Sequence, residues 1–352
     1  MATIKDVAKE AGVSVATVSR VINQSPKASQ ASIASVKNAM NKLGYRPNAA
    51  ARALVNQSSN TIGVLVNDVS DPFFGVMVKA VDAVAHKNGK HILICNGYHN
   101  AKEERQSIEL LINNRCDALI IHSKALSDAE LLQYAKEVPS MVLINRHSDA
   151  IGTRCISLNN YKGAYLATEH LIRHGHTKIA YISSNHQIED AVQRLQGYRD
   201  ALKNNGIQLS DSYIEYGVPY GEGGEQAMTN LLTKSLEITA VVGYNDFMAA
   251  GAIAVLDENE IHSPDQVSVI GFDDVLIARY IHPRLTTIRY PIQMMAEKAT
   301  QLALSLARGE KTTGESLIYS PTLVQRNSVS TFARLSIFIG HSGYENKCKR
   351  FH

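Results

Sequence analysis

Two hydrophobic rhythms divide the chain. From Ile4 to Leu43, apolar residues recur every three or four positions with no strand-like run between them. Ile4, Val7, Ala8 and Ala11 predict a first helix, with Thr3 as its N-cap. Gly12 interrupts it. Ser14 caps a second helix, Val15–Asn23, whose inward face is Val15, Val18 and Val21 or Ile22. After the loop at Asn23–Pro26, a third helix is expected over Ala31–Leu43. Ile33, Val36, Ala39, Met40 and Leu43 share one of its faces, and Gly44 ends it.

Asn48–Val55 is short, alanine-rich and preceded by Pro47, which suits a marginal helix followed by a joint at Gln57–Asn60. From Thr61 the rhythm changes. Strand-like runs at Ile62–Val66, His91–Cys95, Ala118–Ile121, Met141–Ile144, Lys178–Ile182, Ala240–Val242 and Val267–Ile270 alternate with helical patterns. The helices fall at Phe73–His86, Glu103–Asn114, Tyr161–Arg173, Val192–Asn204 and Asp246–Asp257. Such alternation predicts parallel sheets covered by helices. There are too many units for one sheet, so two lobes are expected, with a cleft at the carboxyl ends of their strands. The fold class is therefore α plus α/β: a three-helix head at 1–46, a hinge at 47–60, and a two-lobed body at 61–331. The tail at 332–352 matches neither rhythm and reads as disordered or non-native.

Charge sharpens this division. Residues 1–60 carry eight Lys and Arg against Asp6 and Glu10, a net +6, within a chain of net +3. The rest is thus −3. A basic head on an acidic body points to a polyanion as the head's partner. No apolar run is long enough to span a bilayer, and the N-terminus has no signal-peptide core, so a cytoplasmic protein without membrane contact is expected. Cys95, Cys116, Cys155 and Cys348 lack paired spacing, which argues against a disulfide framework or a zinc site.

The densest motif lies in the first two helices. Two helices crossing at a tight turn need a small residue at the crossing, here Ala8, and a permissive turn residue, here Gly12. Val7, Val13 and Val18 would fix the crossing. Ser14, Val15, Ala16, Thr17, Ser19 and Arg20 are then left where a recognition helix meets the major groove, with Val15 shared between core and groove. Val15 and Ala16 offer only apolar contacts, for example to thymine methyls, whereas the hydroxyls and Arg20 can bond phosphates or base edges.

The stretch Thr3–Asn23, with Gly44-Tyr-Arg-Pro-Asn48 and Ala51-Arg-Ala-Leu54, closely resembles the lactose/galactose-repressor family of bacterial transcriptional regulators. So do Asn67-Asp-Val-Ser-Asp-Pro-Phe-Phe74, Asn245-Asp-Phe-Met-Ala-Ala-Gly251, Ile270-Gly-Phe-Asp-Asp274 and Leu285-Thr-Thr287. The likeness runs from residue 2 to about 331. Val15-Ala16 and Asn96-Gly-Tyr-His-Asn100 place it nearest the galactose branch. The resemblance implies a homodimeric repressor on a pseudo-palindromic operator in double-stranded DNA, released by a sugar inducer, D-galactose first. It implies a hinge helix that inserts Leu54 into the minor groove. Thr3, Asn23 and Ala51 join the expected DNA contacts, and Asn145, Arg194, Asn245 and Asp273 the expected effector contacts.

A sugar site also needs an apolar surface for the C–H face. The chain has no Trp. Phe73 or Phe74, just after the first strand of the body, supplies that surface, with Tyr220 and Tyr290 as weaker candidates. Asn245 caps the following helix, binds the ligand, or does both. His170, His174 and His176 crowd one helix end, but Leu171 stands where a zinc-protease motif needs glutamate, and a solvated helix end is expected instead. No catalytic constellation stands out. The rival readings are a family member that binds DNA better with ligand, and a sugar-binding protein without DNA function.

Overall fold

A computed structural model describes residues 2–23, 25–46, 59–208, 210–311 and 317–332. Ala51 and Leu54 of the expected hinge lie outside these residues, as does the tail beyond Phe332. The head is three helices, α1 (Ile4–Ala11), α2 (Val15–Ile22) and α3 (Gln30–Leu43). Each begins at a hydroxyl cap: Thr3, Ser14 and Ser29 accept from the backbone three residues on. In α1 the bond is reciprocal, because Asp6 accepts the Thr3 backbone N–H at 2.8 Å. Gly12 and Gly44 close α1 and α3 in the left-handed conformation. The core is made of small residues, Val7, Ala8, Val18, Val21, Val36 and Ala39, with Val13, Ile22, Ile33 and Met40 packed around it. Val15 departs from its expected half-share in this core: it is 41% exposed.

The body follows as β1 (Thr61–Val66), α4 (Pro72–Lys87), β2 (His91–Asn96), α5 (Ala101–Asn113), β3 (Ala118–Ile121), α6 (Asp128–Glu137), β4 (Met141–Ile144), β5 (Cys155–Leu158), α7 (Asn160–Arg173), β6 (Ile179–Ser184) and α8 (Glu189–Asn204). Then come β7 (Ile214–Gly217), α9 (Gly221–Thr233), β8 (Ala240–Gly243), α10 (Asp246–Glu258), β9 (Ser268–Asp273), α11 (Ile277–Tyr280), β10 (Thr286–Arg289), α12 (Ile292–Ala307), β11 (Leu317–Tyr319) and β12 (Thr322–Val324). They form two six-stranded sheets, ordered β11-β5-β4-β3-β1-β2 and β12-β10-β9-β8-β6-β7. The parallel expectation needs one correction, because β12 pairs antiparallel with β10. Between the two, the chain passes through α12 and through β11 of the other sheet before β12 closes the edge beside β10.

Two compact units emerge, one from residues 1–67, 81–142 and 299–313, the other from 68–80, 143–298 and 314–352. In the first, Glu104 of α5 is buried and its carboxylate accepts the backbone N–H groups of Lys124, Ala125 and Leu126, which fixes the loop after β3. In the second, Ala180, Ile182, Met228, Val241, Met248, Leu256 and Val269 build the core around β6, β8 and β9. Two glycines let its helices close up: a Cβ at Gly197 would stand 2.3 Å from the Tyr161 carbonyl, and one at Gly163 2.5 Å from the Phe272 ring.

The histidine group also departs from expectation. His170 and His176 are buried, not solvated. His176 contacts the Thr239 hydroxyl at 3.1 Å through Nδ1 and the Ser330 carbonyl at 3.0 Å through Nε2, so the end of α7 is covered by the last described stretch of the chain. Phe332 adds a backbone bond to the His174 carbonyl at 2.7 Å.

Candidate functional site

The head presents one polar, basic face. Ser14, Val15, Ala16, Arg20 and Asn23 are exposed, with Thr17 and Ser19 half-buried between them and Thr3 exposed at the start of α1. Ser14 and Thr17 share a hydroxyl contact of 3.0 Å, and Asn23 donates to Ser19 at 3.4 Å. The two acids of the head are engaged elsewhere. Asp6 serves the α1 cap, whose bonds hold its carboxyl below the usual range, and Glu10 pairs with Lys42 at 2.6 Å. Arg20 stands exposed in the last turn of α2, and the first turn presents Ser14, Val15 and Ala16 beside the backbone N–H groups of the helix N-terminus, which favour phosphate.

In the second unit, the residues expected to hold a ligand converge at strand ends. Asn145 follows β4, Asp273 ends β9, and both adopt positive φ, 57° and 110°. A side chain in such a backbone conformation is held there by its surroundings. For Asp273 those surroundings are explicit. Its neighbour Asp274 accepts from Arg289 at 2.8 Å and from Arg326, and Asp246 accepts the Val275 N–H at 2.8 Å and the Thr287 hydroxyl. Burial drives the Asp246 carboxyl well above the usual carboxylate range.

A continuous run of buried bonds crosses this site. Tyr290 donates to the Asn145 side-chain amide oxygen, and the Asn145 amide nitrogen donates to Asp190 at 3.1 Å. Asn160 donates to the other Asp190 oxygen at 3.3 Å and accepts from Arg194 Nε at 2.9 Å. Arg194 also donates to the Tyr244 carbonyl at 2.7 Å and reaches Asp273 at 3.5 Å. Its guanidinium carbon lies 3.6 Å from the centre of the Phe272 ring. Burial raises the Asp273 carboxyl to about 7, Arg194 opposing and Asp71 and Asp190 adding to the shift.

Phe73 joins this group edge-on to Tyr290, with ring centres 5.0 Å apart, and Phe74 packs behind Phe73 at 5.2 Å. Asn245 takes the cap role. Its oxygen accepts the Met248 N–H at 2.8 Å and its amide donates to the Pro219 carbonyl at 2.9 Å. Tyr220 stays exposed at the start of α9, outside the group. A cavity of about 290 Å³ opens against Asn145, Asn160 and Asp190; its other walls are Arg146, His147, Ser157, Leu158, Asn159, Tyr161, Glu189, Gln193 and Ile318. Asn160 and Asp190 were not anticipated from the sequence. The available signal was Asp190 four residues before Arg194 on one helix face.

Comparison with known proteins bears on both regions. Residues 3–48 match the model of bacterial regulatory proteins of the lacI family, and 59–318 that of periplasmic binding proteins and the sugar binding domain of the LacI family. The chain belongs to the LacI family. It is 57% identical over 331 residues to the HTH-type transcriptional regulator GalR of Escherichia coli K12, covering 94% of this chain and 96% of that one. The regulator GalS of Salmonella typhimurium is 52% identical over 330 residues, covering 94% and 97%. Among solved structures, a lac repressor dimer bound to operator and the anti-inducer ONPF superposes with a TM-score of 0.81 at 28% identity, covering 94% and 99%.

As a LacI-family member the chain is a DNA-binding, sugar-responsive transcriptional repressor and not an enzyme. Its helix-turn-helix is α1 and α2, and the small effector is a sugar held by the body. Among the described residues, no helix is long and apolar enough to cross a membrane.

Proposed function

We propose that this chain represses galactose-utilisation genes in the cytoplasm, at the nucleoid, and that D-galactose releases it from its operator. The observation that carries this reading is the 57% identity with GalR along 94% of the chain. The proposed division is a DNA-binding head at 1–46, a hinge at 47–60, an effector-binding body at 61–331 and a tail at 332–352. Ser14, Val15, Ala16, Thr17, Ser19, Arg20 and Asn23 meet DNA, with Thr3 beside them and Ala51 and Leu54 contributed by the hinge. Phe73, Asn145, Arg194 and Asp273 hold the sugar, backed by Phe74 and by the α10 cap at Asn245, with Asn160 and Asp190 added.

One head reads only a half-site, so a homodimer on a pseudo-palindromic operator supplies the affinity. Galactose must then favour the arrangement of the body in which the heads no longer fit both half-sites, because a ligand shifts an equilibrium only by its differential affinity. The test is operator binding by the purified chain across a galactose titration. Release from the operator is expected. Unchanged binding overturns galactose as inducer, and tighter binding would establish a corepressor instead.

A further inference from the structure

Helix α7 begins at Asn160, in the bonding run that reaches Arg194 and Asp273, and carries two histidines one turn apart at its other end. With 1.5 Å of rise per residue, His170 and His174 stand about 15–20 Å from Asn160. Their ring centres are 4.3 Å apart and the rings are inclined at 52°. Two imidazoles that share one metal ion, each through a nitrogen at about 2.0–2.1 Å, have ring centres roughly 4.5–5 Å apart. A small side-chain rotation brings the pair to that spacing.

Hydrogen bonding prepares both rings for that use. His174 Nδ1 lies 2.8 Å from the His170 carbonyl oxygen. A carbonyl only accepts, so Nδ1 carries the proton and Nε2 keeps its lone pair. Metal-bound histidines are oriented in this way, by giving the other N–H to a backbone carbonyl or a carboxylate. His170 is 9% exposed, and its Nε2 is buried without a hydrogen-bond partner. A buried ring nitrogen in that state is costly until something meets it. His174 is half-buried, which leaves a way in for an ion and its water. His176 is not a third ligand, because Thr239 and Ser330 engage both of its nitrogens. The cation of Arg173 is paired with Glu169 at 3.1 Å, which offsets its repulsion of an incoming ion.

We propose that His170 and His174 form a two-imidazole site for a divalent transition-metal ion of the zinc, nickel and copper class. Imidazole suits these ions, whereas magnesium and calcium take oxygen ligands. Among the described residues, no group of three His, Cys, Asp or Glu side chains could hold a metal, so water fills the remaining positions on the ion. The ion also braces a junction. The His174 carbonyl accepts the Phe332 N–H at 2.7 Å, so fixing His174 fixes the last described stretch of the chain with it. An ion that binds only the folded chain stabilises it.

The experiment is calorimetric titration of the full, untagged chain with zinc chloride and with nickel chloride at neutral pH. Wild type is compared with His174→Gln and with His86→Gln, a control at an exposed histidine of α4. Wild type and His86→Gln should bind the ion alike. His174→Gln removes one of two ligands and should weaken binding about tenfold or more. The metal should raise the melting temperature of wild type and leave that of His174→Gln where it stands in chelator. Electron paramagnetic resonance of wild type loaded with one equivalent of copper(II) counts the bound nitrogens without any substitution, and two are expected. That count decides the matter even if His174→Gln fails to fold. Absence of binding by wild type, equal binding by a folded His174→Gln, loss of the site in His86→Gln, or a single copper-bound nitrogen would each overturn the proposal.

Discussion

Arg194 lies flat against Phe272, its guanidinium carbon 3.6 Å from the ring centre, and this stacking fixes the plane in which its nitrogens point. The fork then serves three acceptors from three parts of the chain: Asn160, the Tyr244 carbonyl and Asp273. A lysine brings the charge but not the fork or the stack.

Arg194→Lys should therefore weaken galactose binding by more than tenfold while operator binding without sugar stays near wild type. Calorimetry and operator titration measure the two. Wild-type galactose affinity in the variant would remove Arg194 from the site.

Asp273→Asn keeps the shape and loses charge-assisted acceptance, which is worth about 1.5–3 kcal/mol per bond, or roughly ten- to a hundredfold in affinity. The variant should repress normally and respond poorly to galactose. Because the Asp273 carboxyl ionises only near 7, wild-type sugar affinity should fall as pH drops through that value, and the fall should be flattened in the variant. Folding without sugar runs the other way. The raised carboxyl favours the folded chain below its unfolded value of 3.8, and this advantage is lost as pH rises towards about 7. Asp273→Asn should therefore raise the ligand-free melting temperature at neutral pH.

Val15 and Ala16 are exposed at the first turn of α2 and take no part in the core of the head. Exchanging them for larger polar residues should redirect operator choice without unfolding the head. Selection from a randomised operator library reads the change. An unaltered preferred sequence would show that another surface reads the bases.

Burial, reinforced by the charges of His174, Arg173 and His176, lowers the His170 imidazole from 6.5 to about 4. The unfolded chain then binds this proton first as pH falls. The stability linked to His170 is full above about 6.5 and lost on descending towards 4. His170→Gln should make the melting temperature less sensitive to acid across that interval. Parallel melting curves with unchanged pH dependence would locate the acid sensitivity elsewhere.

The head was legible almost residue by residue because its signals are local. Caps at Thr3 and Ser14 and a three-to-four periodicity act within a single turn. The long buried strands were equally plain. Short strands with polar residues were not: Cys155–Leu158, Ile214–Gly217 and Thr286–Arg289 carry Ser157, Glu215 or Arg289, which breaks the apolar run that marks the equally short Ala118–Ile121 and Met141–Ile144. Asn145, Arg194 and Asp273 were named from resemblance, whereas Asp190 went unseen. Its importance depends on partners 45 and 30 residues away, which only the folded sheet brings to it. The burial of His176 under Ser330 was hidden for the same reason.

Arg326 is among the last described residues, yet it grips Asp274, next to Asp273, and also donates to the Leu285 carbonyl at 2.7 Å. During synthesis the three-helix head emerges first, and among the described residues its small core draws on nothing beyond Tyr45. A growing chain can thus fold its DNA-reading end while the loop that holds Asp273 still lacks its final clamp. A ribosome that stops short of Arg326 releases a product with an address but a poorly formed receiver. Such truncations would lose the answer to sugar first, because the clamp on Asp274 is the part of the site that is translated last.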